Sequence, residues 1–141
     1  MQYIAIFKFM TDNNPSSDLS IIQATSEVLL QRTAESLSEL LKELVKKFDS
    51  FPSYPGAFFA YGIEIDAPKL IAADLGCVIL GNDGGLYEFQ IGLDAEQIAA
   101  GADPMSTREE SLVPLELPDI EYIPLAYEAI RIATLRLEET I

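Results

Sequence analysis

Cys77-Val78-Ile79-Leu80-Gly81-Asn82-Asp83-Gly84-Gly85-Leu86-Tyr87-Glu88-Phe89-Gln90-Ile91 is the stretch whose reading decides the fold. Two apolar runs flank five residues, three of them glycine. Glycine reaches positive φ at little cost, and Asn and Asp tolerate that region better than most residues. Runs of this kind on either side of such a turn predict a β-hairpin with a bulged or longer loop. Side chains alternate faces along a strand. Tyr87, Phe89 and Ile91 are therefore expected on a covered face, with Glu88 and Gln90 on a solvated one.

Upstream, Ala57-Phe58-Phe59-Ala60-Tyr61-Gly62-Ile63-Glu64-Ile65-Asp66 is rich in aromatic and β-branched residues. It predicts a third strand, with Ala57, Phe59, Tyr61, Ile63 and Ile65 in the core. Ala67-Pro68 ends it, because proline gives no N–H to a ladder. Residues 2–10 read as a strand apolar on both faces, and Thr11 to Asp18 as a loop.

The main helix lies between Leu19 and Phe48. Leu30, Leu37 and Leu44 repeat every seven residues, with Ala34, Leu40, Leu41, Val45 and Phe48 filling the same side. Begun at Leu19 it would be about 45 Å long, which is long for a chain of this size. The expected start is therefore near Thr25 or Ser26, both good N-caps, leaving Leu19 to Ala24 as a strand. The rival start is near Pro15 or Ser20, where Ser20 and Gln23 have capping-box spacing. Packing on the chain's own sheet explains the leucine heptad more simply than a coiled coil does.

Ser50 to Gly56 reads as a rigid connection whose Phe51 and Tyr54 pack back on the domain. Pro68 to Asp74 predicts a helical turn. Asp94 to Gly101 predicts a short helix capped by Asp94 and stopped by Gly101. An irregular acidic segment is expected at about 102–118, which holds three prolines. Pro124 suits a first helical position, and the last helix is expected over about 124–139. The sum is an α+β fold in one domain spanning residues 1–141. A single antiparallel or mixed sheet of about 4–5 strands is covered by a long helix (about 26–48) and the C-terminal helix. A strand–strand–helix–three-strand–helix order resembles the profilin-like and longin-like layouts, which often serve as adaptors; the resemblance is one of element order.

Charge narrows the functional classes. The 141 residues carry 23 acids and 9 bases, a formal net charge of −14. Residues 71–141 hold 14 of the acids and only 3 of the bases. Such a surface repels phosphate and anionic lipid, so neither nucleic acid nor membrane is expected as a partner. No histidine is present, which removes Ser-His-Asp and Cys-His catalysis and His-ligated metals. The single Cys77 excludes an internal disulfide and a zinc cluster and fits a reducing, cytoplasmic setting. Within its apolar run it reads as core packing rather than as a nucleophile. No cofactor motif is visible, and the Gly81–Gly85 turn lacks the Lys-Ser/Thr ending of a phosphate loop.

One carboxylate constellation stands out. Glu64 and Asp66 share a strand face, and an adjacent strand could bring Glu88 beside them, with Asp83 from the turn. Clustered carboxylates raise one another's pKa for acid/base work, or hold Mg²⁺ or Ca²⁺. The bland reading is a solvated sheet face. The last helix is apolar over more than one stripe, which makes Tyr127, Ile130, Ile132 and Leu135 a candidate surface for self-association or a protein partner. The leading expectation is a non-catalytic, homo-oligomeric interaction or regulatory domain. The alternatives are a carboxylate- or metal-dependent enzyme built on Glu64, Asp66 and Glu88, and an acidic decoy for a basic nucleic-acid-binding protein.

Overall fold

A computed structural model describes residues 15–55, 57, 60–66 and 75–140. The architecture is α+β: one four-stranded antiparallel sheet with a long helix before it and another after it. The elements are α1 (Pro15–Val45), β1 (Ile63–Ile65), β2 (Cys77–Leu80), β3 (Leu86–Gly92), α2 (Ala95–Ala99), β4 (Glu109–Pro114) and α3 (Asp119–Glu139). A 3₁₀ turn, Pro104–Thr107, precedes β4. Strand order is β1-β2-β3-β4, each strand paired with its sequence neighbour. The strand expected at 2–10 and the helical turn expected at 68–74 lie outside the described residues.

Register fixes which residues share a face. Ile63 pairs with Leu80 and Leu80 with Leu86; Ile65 pairs with Val78, Val78 with Glu88 and Glu88 with Val113. Cross-strand partners point the same way, and this is the face that the helices roof. Its core joins Ile63, Ile65, Val78, Leu80 and Leu86 to Leu41 and Val45 of α1 and to Leu125, Ala126, Ala129 and Ala133 of α3. The three alanines recur at helical spacing, and such short side chains let α1 and α3 approach closely.

The hairpin forms as its sequence predicts. Gly81 N–H donates to the Gly85 carbonyl at 2.8 Å, and Gly85 N–H donates to Asp83 Oδ1 at 2.8 Å. Gly84 has φ +84°, and a Cβ there would lie 2.8 Å from the backbone of Lys42 in α1. The turn thus needs glycine for conformation and again for clearance. In α2, the Asp94 carboxylate accepts from the Glu96 and Gln97 N–H groups, and Gly101 has φ +99°. Phe51 packs edge-on against Phe48, ring centroids 5.3 Å apart.

Five expectations are corrected. First, the rival start of the long helix holds: α1 begins at Pro15, so Leu19–Ala24 is helix rather than strand, α1 ends at Val45 rather than 48, and Leu40, expected on its core side, is 52% exposed. Pro15–Asp18, expected as loop, is helix as well, Thr11–Asn14 lie outside the described residues, and the strand–strand opening of the profilin- and longin-like order is lost with 19–24. Second, of the described residues in the strand expected over 57–66, only Ile63–Ile65 form a strand. Tyr54 N–H donates to Ala60 O and Gly62 N–H to Pro52 O, at 3.0 and 2.9 Å. The chain here pairs with its own proline-rich approach, and Tyr61 stays 56% exposed. Third, the helices roof the other face of β3: Leu86 and the half-buried Glu88 lie beneath them, whereas Phe89 is buried on the opposite face and Ile91 is 51% exposed. Fourth, the segment at about 102–118 is not all irregular, because Glu109–Pro114 pairs with β3 along six residues. Fifth, α3 starts at Asp119, so Pro124 lies inside it. A proline there supplies no N–H for the Ile120 carbonyl, but Ile120 is well exposed and water can serve instead.

Candidate functional site

The register separates the three carboxylates singled out in the sequence. Glu64 sits opposite Ile79 on the outer face of the sheet, whereas Glu88 pairs with Val78 on the roofed face. Glu88 is half-buried and accepts from Gln90 Nε2 at 3.1 Å. Asp66 lies just past the end of β1 and is exposed. Its charge adds to the stronger hydrogen-bonding influence of Glu128 in favouring the charged form of Arg131 on α3. Asp83 belongs to the turn, where it accepts from the Tyr87 hydroxyl. Among the described residues no three His, Cys, Asp or Glu side chains are grouped to hold a metal ion.

A different group assembles around Glu64. The Tyr54 hydroxyl and Cys77 Sγ share a hydrogen bond at 2.7 Å, and the thiol reaches Glu64 Oε1 at 3.5 Å. The bonds run in one direction when Tyr54 donates to sulfur and the thiol donates to the carboxylate. The Tyr54 ring also stacks at a tilt on Phe89, centroids 5.1 Å apart. Burial pushes the Cys77 thiol up; the Tyr54 hydrogen bond opposes this, and the nearby Glu64 charge reinforces it. Tyr54 is raised too, first by its hydrogen bond to Cys77 and then by burial. A protonated thiol is a poor nucleophile and a protonated phenol a poor base. The trio ties Tyr54 to the outer face of the sheet. Cys77 is thus only half-buried, in a polar contact that its apolar neighbours in sequence did not signal.

Exposed apolar side chains form the other candidate. On α3, Tyr127 and Leu135 face solvent, but Ile130 and Ile132 pack against the core. The face expected there for a partner is thus half committed to the fold. From Leu19 onward along α1, the first buried residue is Ala34. From Leu19 through Thr33 every residue but Leu30 is exposed, including Ile21, Ile22, Val28 and Leu29. Sequence reasoning missed this surface by assigning 19–24 to a strand. The signal was present in the spacing of Ile21, Ile22, Val28 and Leu29 at i, i+1, i+7 and i+8.

No helix among the described residues is long and apolar enough to cross a membrane. No known family model, curated protein or solved structure matches the chain.

Proposed function

We propose that this chain is a non-catalytic interaction domain that acts as a homo-oligomer. The observation behind this reading is the amino-terminal half of α1, which carries large apolar side chains into solvent, Leu19 at 67% and Leu29 at 58% exposure. Apolar surface favours burial at ~25 cal/mol per Å², and scattered single residues need no explanation whereas a row of them on one element does. Tyr127 and Leu135 of α3 add a smaller patch. A second copy is the partner that a chain of net charge −14 can meet only where its charge is sparse, and residues 15–33 carry just Asp18, Glu27 and Arg32. Sedimentation or light scattering across 1–500 µM tests the reading. A mass that rises to that of a dimer or larger supports it; a monomer throughout sinks it.

A further inference from the structure

We infer that the oligomer is an antiparallel pair of α1 helices, crossing at Thr25 on a two-fold axis, with a second copy of this chain as the occupant of the exposed stripe. The inference rests on the self-association just proposed and specifies its interface.

Asp18, Ile21, Ile22, Thr25, Val28, Leu29 and Arg32 recur at intervals of three and four along α1. At ~100° per residue they fall within a band about 120° wide. The core-facing residues Ala34, Leu41 and Val45 lie roughly opposite that band, so the stripe points away from the molecule's own sheet. Packing on a partner through it leaves the fold undisturbed.

Charge selects the direction. In a parallel pair Asp18 meets Asp18 and Arg32 meets Arg32. In an antiparallel pair centred on Thr25, Asp18 of each copy meets Arg32 of the other, Ile21 meets Leu29, and Ile22 meets Val28. Such a contact is isologous and closes at two copies. Glu27, the remaining charge of this half, is held off the stripe by a hydrogen bond from Gln23 at 3.3 Å. Charge also selects the register. Beyond Arg32 the stripe continues through Glu39, Leu40 and Glu43. With the crossing at Thr25, residue 35 lies opposite the partner's Pro15, where α1 begins. The acidic continuation therefore does not face the acids of the partner's α1. The apolar area offered is roughly half of the ~800 Å² per partner of a standard interface, so the dimer is expected to dissociate in the micromolar range.

Cysteine cross-linking in full-length protein carrying Cys77→Ala tests this directly. Thr25→Cys should give a disulfide-linked dimer under mild oxidation, because a two-fold crossing brings that residue against itself. Ile22→Cys alone should link poorly, but should link well when mixed with Val28→Cys. Asp18→Lys and Arg32→Asp should each weaken the dimer by about three- to tenfold, and the double variant should restore it. Self-linking of Ile22→Cys as strong as the mixed reaction means a parallel pair and overturns the inference. A dimer by light scattering in which Thr25→Cys does not link places the interface elsewhere; it overturns the inference and leaves the proposed function standing. A monomer at all concentrations, with Thr25→Cys shielded from a thiol reagent, means that the chain covers the stripe itself and overturns both.

Discussion

Ala34–Val45 and Pro15–Thr33 are one continuous helix in two environments. In the second half Ala34, Leu41 and Val45 are buried, and Leu37 and Leu44 lean on the same core. In the first half the same side of the helix passes through Gln23, Glu27 and the half-buried Leu30, and the exposed Ile21, Ile22, Val28 and Leu29 lie around on the other side. Isolated helices of this length are marginal in water. The outer half leans on local bonds: Gln23 to Glu27 and Gln31 to Glu35, both at 3.3 Å, with Ser26 and Thr33 hydroxyls donating to carbonyls four residues back. Helix length here is thus set by two different forces, and only one of them belongs to the core.

Mutation can break that comparison. Leu41→Ala removes a fully buried side chain and should cost about 3–4 kcal/mol in denaturant unfolding. Leu29→Ala should change monomer stability by less than about 0.5 kcal/mol, and should show its effect in association. Equal losses at both sites would mean that the two halves are not distinct. Gly84→Ala comes next. Its positive φ and the 2.8 Å approach to the Lys42 backbone should together cost about 2–3 kcal/mol, again by way of the inner half of α1.

The turn beneath that half also sharpens the contrast through pH. Burial works to raise the Asp83 carboxyl, but the Tyr87 hydroxyl, the Gly85 N–H and the nearby Lys42 charge outweigh it and leave it lowered. A carboxyl depressed on folding contributes stability above its unfolded value of about 3.9, and loses it as pH falls through the folded value. The stability difference between wild type and Asp83→Asn should shrink below about pH 4; a difference independent of pH down to 2 would contradict the coupling. The smallest effect belongs to the exposed Glu39–Lys42 pair at 3.2 Å. Lys42→Ala should shift stability by about 0.3 kcal/mol, and less in high salt.

Much of this arrangement was legible in the residues. The Cys77–Ile91 hairpin, the Asp94-capped turn of helix and the two long helices follow from local chemistry, which is where sequence signals are strongest. The misreadings have physical causes. The α1 start was placed too late because a 31-residue helix looked too long to bury, and part of it is not buried. The alternation of β3 marks its aromatic side as covered but does not say by what. Phe89 finds Tyr54 on the outer side, and Glu88 lies on the roofed face while only half-buried. The three carboxylates could not be separated without register, since a one-residue difference moves a side chain to the opposite face. Strand β4 was hidden by Pro104, Pro114 and Pro118, but Pro114 sits at its last position, on the outermost of the described strands, where a missing N–H costs little.

The order of strands along the sheet bears on how the chain acquires its shape. Each strand joins its neighbour in sequence, so the ladder can zip up by closing short loops. Joining α1 to α3 requires linking Leu41 to Leu125 across more than eighty residues, an encounter with a larger entropic cost. Refolding should therefore begin at the 77–91 ribbon and finish with the helix pair. Kinetic φ-values should be high at Val78 and Leu86 and low at Ala129; the reverse pattern would show that the helix pair helps nucleate the rest.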